Sequence, residues 1–188
     1  MGPTTGPLTA RLAIMGVVVC ITQIAAVSQI TLFGAHADVV PIVVALCGLL
    51  LGSLPGAVIG FACGFFVDCA LIQTMGLSSL LYLSIGYGAG RLRELRDPQA
   101  AVVPAVVGGA ATAIVTVGYS LMQFMLGTPV AVTGLLIGQI IVTILVNTLL
   151  SLPVYAGVRR WLVPVLPDDP RRRRRRAQTT RLSPLSRA

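Results

Sequence analysis

The sequence predicts an all-α fold, a polytopic membrane bundle of about six transmembrane helices. Of its 188 residues, 55% are hydrophobic and only 11% are charged, against about 25% charged in a soluble domain. Mean hydropathy is +0.89. Between Leu12 and Gly90 the acidic and basic residues are His36, Asp38 and Asp68. About 18 apolar residues suffice for one crossing, and such material recurs along roughly 150 residues.

The candidate spans are 12–33, 39–53, 55–73, 77–92, 101–126 and 131–159. The first follows Arg11 and precedes Ala35-His36-Ala37, a pattern similar to a signal-peptide cleavage site. Its apolar run of 22 residues exceeds the usual length of about 7–15, so an uncleaved first span is expected. The start Met-Gly-Pro-Thr-Thr-Gly lacks the Ser or Thr that myristoylation needs at position six.

Spans 2 and 3 read either as one long helix or as a tight pair broken at "GSLPG" (52–56), and arginine position decides between them. Short basic loops stay on the cytoplasmic side. The basic clusters are Arg11, then Arg91, Arg93 and Arg96, then Arg159 and Arg160 with the tail beyond. An even number of crossings must separate clusters that share a side. Four spans are therefore needed between Arg11 and Arg91, which requires a break near Pro55, and two more return the chain to Arg159. The connections "GAHAD" (34–38), "QTMG" (73–76) and "LGTP" (126–129) hold no Arg or Lys. A membrane protein of six spans with both ends in the cytoplasm is expected.

Pro55, Pro98 and Pro129 fall at helix starts, where a missing N–H costs little. Pro104 and Pro153 fall inside spans 5 and 6 and are expected to kink them. The chain divides into a membrane domain, 1–163, and a tail, 164–188, "PVLPDDPRRRRRRAQTTRLSPLSRA", with no apolar periodicity and the composition of a disordered arm.

Within span 3, "GAVIGFACGFFVD" places Gly56, Gly60, Gly64 and Asp68 four residues apart. Each helical glycine costs about 1 kcal/mol. In lipid the hydrophobic effect does not draw helices together, so close contact rests on dispersion and small residues. Glycines four apart make one flat ridge. Gly48 and Gly52 carry the spacing through span 2, and span 4 has Gly86 and Gly90 with Gly88 beside them. Spans 2 to 4 are expected to pack with backbones in near contact. That glycine is simply common in membrane helices explains its number but not its phasing.

Asp68 continues the ridge and is expected to face protein. Its candidate partners are the hydroxyl of Ser78 or Ser79, the free N–H groups at the start of span 4, and Tyr82. In that setting the carboxylate staples the connection between spans 3 and 4. A proton or ion relay would need further acids or bases within the membrane, and spans 1, 5 and 6 supply none.

Cys20, Cys47, Cys63 and Cys69 lie in apolar segments without a C-x-x-C pair, and the chain has one His. They read as small buried hydrophobes rather than a zinc site. His36 reads as a solvated loop residue. One His and six acids assemble no catalytic set, so neither an enzyme nor a cofactor is expected.

The stretch "GAVIGFACGFFVDCALIQTMGLSSLLYLSIGYGAGRLRE" resembles the rod shape-determining protein MreD family. The resemblance rests on Gly60, Phe61, Gly64, Asp68, Gly76, Leu77, Tyr82, Gly86, Tyr87, Gly90 and Arg91, with "DVVPIVVAL" preceding them. The connection between spans 2 and 3 lacks the basic residue that many members place there, and the hexa-arginine run is not a family feature. The resemblance implies a non-enzymatic membrane component of the cell-elongation complex, which maintains cell shape and organises peptidoglycan synthesis. Its implied partners are MreC, MreB, and RodA with its transpeptidase.

The fold would be similar to the substrate-binding subunits of energy-coupling-factor vitamin transporters, which supply the alternative function. Such a subunit needs a polar pocket, for which the chain offers Gln23, Gln29, Asp68, Gln73, Gln123, Gln139 and Asn147. Interhelical hydrogen bonds account for these more simply. In the tail, Arg171, Arg172, Arg173, Arg174, Arg175 and Arg176 would each gain about 1 kcal/mol beside anionic lipid. Nucleic acid is not expected, because the arm has no aromatic residues for stacking and a membrane adjoins it. Membrane lipid or an acidic protein surface suits it better.

Overall fold

The computed structural model describes residues 5–25, 31–32, 35–36, 38–72, 74–95, 102–127, 134–162 and 164. Gln29, Gln73, Arg96, Pro98, Pro129 and the run from Arg171 to Arg176 lie outside the described residues. The described residues form six helices in order: α1 (Thr5–Ala25), α2 (Val39–Leu51), α3 (Ser53–Leu71), α4 (Leu77–Leu95), α5 (Val102–Met125) and α6 (Gly134–Leu162). Two short strands, β1 (Thr31–Leu32) and β2 (Ala35–His36), lie between α1 and α2. Among the described residues, four helices are long and apolar enough to cross a membrane, over Leu8–Ala25, Ser53–Leu71, Val102–Met125 and Ile137–Leu162. The chain is a helical membrane protein.

The bundle is built around its shortest helix. α2 has 13 residues, and Val40, Ile42, Val44, Ala45 and Leu46 are all 0% exposed. A helix that is apolar on every side has to be enclosed, and α2 touches all five other helices. The outer helices show the reverse pattern: Val58, Phe61, Phe65, Ile114, Leu145 and Leu149 point away from the core. Such a surface would be a liability in water and is the natural one against lipid tails.

Several boundaries differ from the sequence reading. The first helix runs over Thr5–Ala25 rather than 12–33, and Thr31 and Leu32 pair antiparallel with His36 and Ala35. His36 is therefore a strand residue, not a loop residue.

The break between α2 and α3 falls at Gly52, whose φ of 110° lies in the left-handed region that suits glycine. Pro55 sits in the first turn of α3, where its missing N–H removes no helical bond. Pro104 is likewise in the first turn of α5, so no interior kink arises there, whereas Pro153 is inside α6. Cys20, Cys47 and Cys63 are buried, but Cys69 is exposed.

Candidate functional site

α3 and α4 form an antiparallel hairpin with the most extensive helix contact in the bundle. A Cβ added to Gly64 would lie 2.5 Å from the Ser79 Cα and 2.6 Å from the Ser79 nitrogen. One at Gly60 would strike the Tyr82 carbonyl, and one at Gly90 the backbone of Gly52 and Ser53. Gly56 faces the Gly86 carbonyl, and its Cβ would also lie 2.6 Å from the Gly48 Cα of α2. Gly48 itself faces the backbone of Gly86 and Gly90. Three helices therefore meet backbone to backbone at Gly48, Gly56 and Gly86. Gly88 is open on its outer side, with nothing within 4 Å of an added Cβ.

At the far end of the ridge Asp68 is 0% exposed. Its Oδ2 accepts the Gly76 N–H at 2.9 Å and the Ser79 hydroxyl at 3.5 Å, and its Oδ1 accepts the Ser78 N–H at 3.4 Å. These donors sit at the opening turn of α4, whose N–H groups lack helical partners and carry the positive end of the helix dipole. The carboxylate of one helix thus caps the next. Tyr82 is buried in the central apolar cluster and presents its carbonyl to Gly60. Gly76, at φ 95°, is singled out in the sequence only for the family resemblance and not as a partner of Asp68.

The other end of the bundle gathers arginines. The Arg11 guanidinium donates to the Trp161 carbonyl at 3.1 Å and lies 5.9 Å from the indole centroid. The start of α1 is thereby fastened to the end of α6, next to Arg159 and Arg160. Leu8, Leu12, Leu50, Leu51, Val158 and Leu162 pack in one cluster there. Arg91 lies over the Tyr87 ring, 5.7 Å from its centroid, one residue past Gly90 and so level with the start of α3. Arg93 is in the last turn of α4.

Around the N-terminus of α2 a second polar group of residues comes together. The Val39 N–H donates to Gln23 Oε1 of α1 at 2.9 Å, and the Asp38 N–H to Asn147 Oδ1 of α6 at 3.2 Å. Two side-chain amides from other helices therefore cap α2 where its own Asp38 makes no side-chain cap. Asp38, read from sequence as part of a loop, lies in the connection just ahead of α2. Its Oδ1 is shut off from solvent, and burial pushes its carboxyl up to about 7 against the opposing pull of the Val40 N–H.

Most other buried hydroxyls are satisfied along their own helix. Thr112 donates to the Gly108 carbonyl at 3.0 Å and Ser151 to the Thr148 carbonyl at 2.6 Å. An apolar groove of about 590 Å³ between α1 and α3 is lined by Leu12, Gly16, Val17, Leu54, Val58 and Phe66, among others. No family model, curated protein or solved structure matches this chain.

Proposed function

We propose that this chain is a non-enzymatic membrane scaffold of the bacterial cell-elongation complex, working with MreC, MreB, and RodA with its transpeptidase. The observation that carries the reading is the α3–α4 hairpin. The residues on which the resemblance to the MreD family rests include Gly60, Gly64, Gly86 and Gly90 at the helix contact and Asp68 and Gly76 at the cap. Their types are the ones this geometry needs. Glycine permits the backbone contact, and a carboxylate at the outer end meets unpaired N–H groups.

In this reading the chain crosses the inner membrane six times with both ends in the cytoplasm. Arg11, Arg91, Arg159 and Arg160 gather at one end of the bundle, and basic segments stay inside. A rigid hairpin held by backbone contact offers partner helices a fixed surface, and the arginine-rich tail would lie against anionic lipid or an acidic protein face.

The test is purification of the full-length protein in mild detergent, scored for MreC against transporter ATPases. Recovery of MreC, lost on Gly64→Leu while the protein still inserts, supports the scaffold. Copurification of ATPase subunits with a vitamin at one per chain supports the transporter subunit instead and overturns the scaffold.

A further inference from the structure

Among the described residues, two buried side-chain polar atoms have no hydrogen-bond partner: Asp38 Oδ1 and Asn147 Nδ2. They are neighbours. The Asn147 amide faces Asp38, because its Oδ1 receives the Asp38 N–H at 3.2 Å, and Asn147 is 0% exposed. One group is an acceptor carrying the acid's charge and the other an unspent amide donor, and both sit in a bundle that satisfies most of its other buried hydroxyls locally. An unmet buried polar atom costs about 1–3 kcal/mol, so two on residues in direct contact call for a shared partner.

The chemistry of the pair is selective. A metal cation would suit Asp38 Oδ1 but would be repelled by the Asn147 N–H. A water molecule suits both, donating to the carboxylate and accepting from the amide. It also suits the protonated acid, which would donate to the same water oxygen.

We propose that Asp38 and Asn147 form a proton-binding site inside the bundle, in which Asp38 Oδ1 holds an exchangeable proton and one bridging water joins it to Asn147 Nδ2. The exchange is balanced: carboxylate and hydronium give carboxylic acid and water, with no other reactant. Among the described residues, the titratable groups that sense the Asp38 charge are Tyr82 on α4 and Cys20 on α1, neither of which is cationic. Gln23 on α1 faces the site as a neutral amide already engaged with Val39. No arginine bonds to Asp38 among the described residues, so the proton is the counter-charge. The elevated titration of the Asp38 carboxyl, about 7, accords with this placement. Protonation would alter the contact between the α2 start and α6, a consequence that does not depend on the elongation reading.

The test is an infrared pH titration of the full-length protein in lipid nanodiscs, following the carbonyl band of protonated carboxyl groups with isotope-labelled aspartate. A band with a midpoint near 7, absent in Asp38→Asn, is expected. Asn147→Leu should raise that midpoint by about one pH unit, because the N–H that steadies the carboxylate through the water is gone. If Asn147→Leu does not assemble, Asn147→Gln displaces the amide and must move the midpoint too. An aspartate midpoint at the ordinary value of 3.8, or one indifferent to both Asn147 variants, overturns the proposal.

Discussion

Gly56 and Gly86 hold α3 and α4 so close that the carbonyl of each occupies the place where the other's side chain would begin. Neither obstruction is a flexible side chain, so a substitution has to move a helix. Gly56→Ala and Gly86→Ala should each cost about 1–3 kcal/mol or more, as overpacking does. They should lower the thermal midpoint in detergent without blocking insertion. Gly88→Ala, two residues from Gly86, meets open space and should be neutral or gain about 0.5–1 kcal/mol from helix propensity. Equal effects for Gly86 and Gly88 would remove the packing account.

The Asp68 cap predicts a graded series. Asp68→Asn retains one oxygen for the Gly76 N–H but sets an amide donor against the Ser78 N–H. A loss of about 1 kcal/mol is expected. Asp68→Leu strands both N–H groups and should cost about 3 kcal/mol, since each buried unpaired donor costs roughly 1–3. Hydrogen exchange at Gly76 and Ser78 should accelerate in the same order. A Leu variant no worse than Asn would contradict the cap.

Ile72 ends α3 at φ 51°, in left-handed backbone that a β-branched residue adopts at a cost. Its side chain is 94% exposed and adds little packing. Its N–H donates to the Asp68 carbonyl and so closes the helix just before the turn to Gly76. Ile72→Gly should therefore stabilise the fold by about 1 kcal/mol, seen as a raised thermal midpoint.

Arg11 caps the carbonyl end of α6 from another helix while lying over the Trp161 ring. Arg11→Gln should cost about 1 kcal/mol and shift Trp161 fluorescence, because the interaction combines charge at a helix C-terminus with the face of an indole. Arg11→Lys should recover only part of it, lacking the planar fork. An unchanged Trp161 spectrum in both variants would show the contact to be dispensable.

What the sequence makes legible follows from where the governing physics is local. The glycine row can be read because helix contact in lipid demands small residues on one face, and a four-residue period displays that face directly. Asp68 can be read because the N–H groups it meets begin only a few residues later. Asp38 and Asn147 are 109 positions apart, and neither stands in a periodic pattern, so their meeting depends on how α6 closes over α2. The central place of α2 had a signal, a segment apolar on every side. The short strands, of two residues each, are too brief to display an alternating pattern.

Asp38 also sets a pH dependence whose sign can be worked out. Its carboxyl titrates at about 7 in the folded protein and at the ordinary 3.8 when unfolded. Below the unfolded value both states are protonated, and the group favours neither. As pH rises from about 4 to 7, the unfolded chain loses its proton first, so folding becomes progressively less favourable. Above the folded value both are ionised and the full penalty remains. Thermal midpoints in detergent should therefore fall across that window and level off beyond it. In Asp38→Asn the carboxyl is gone, so the midpoint should be higher than wild type at pH 8 and the decline between pH 4 and 7 shallower. A wild-type midpoint that rises across the window, or an Asn variant with an unchanged slope, would show that the Asp38 carboxyl is not held neutral by burial.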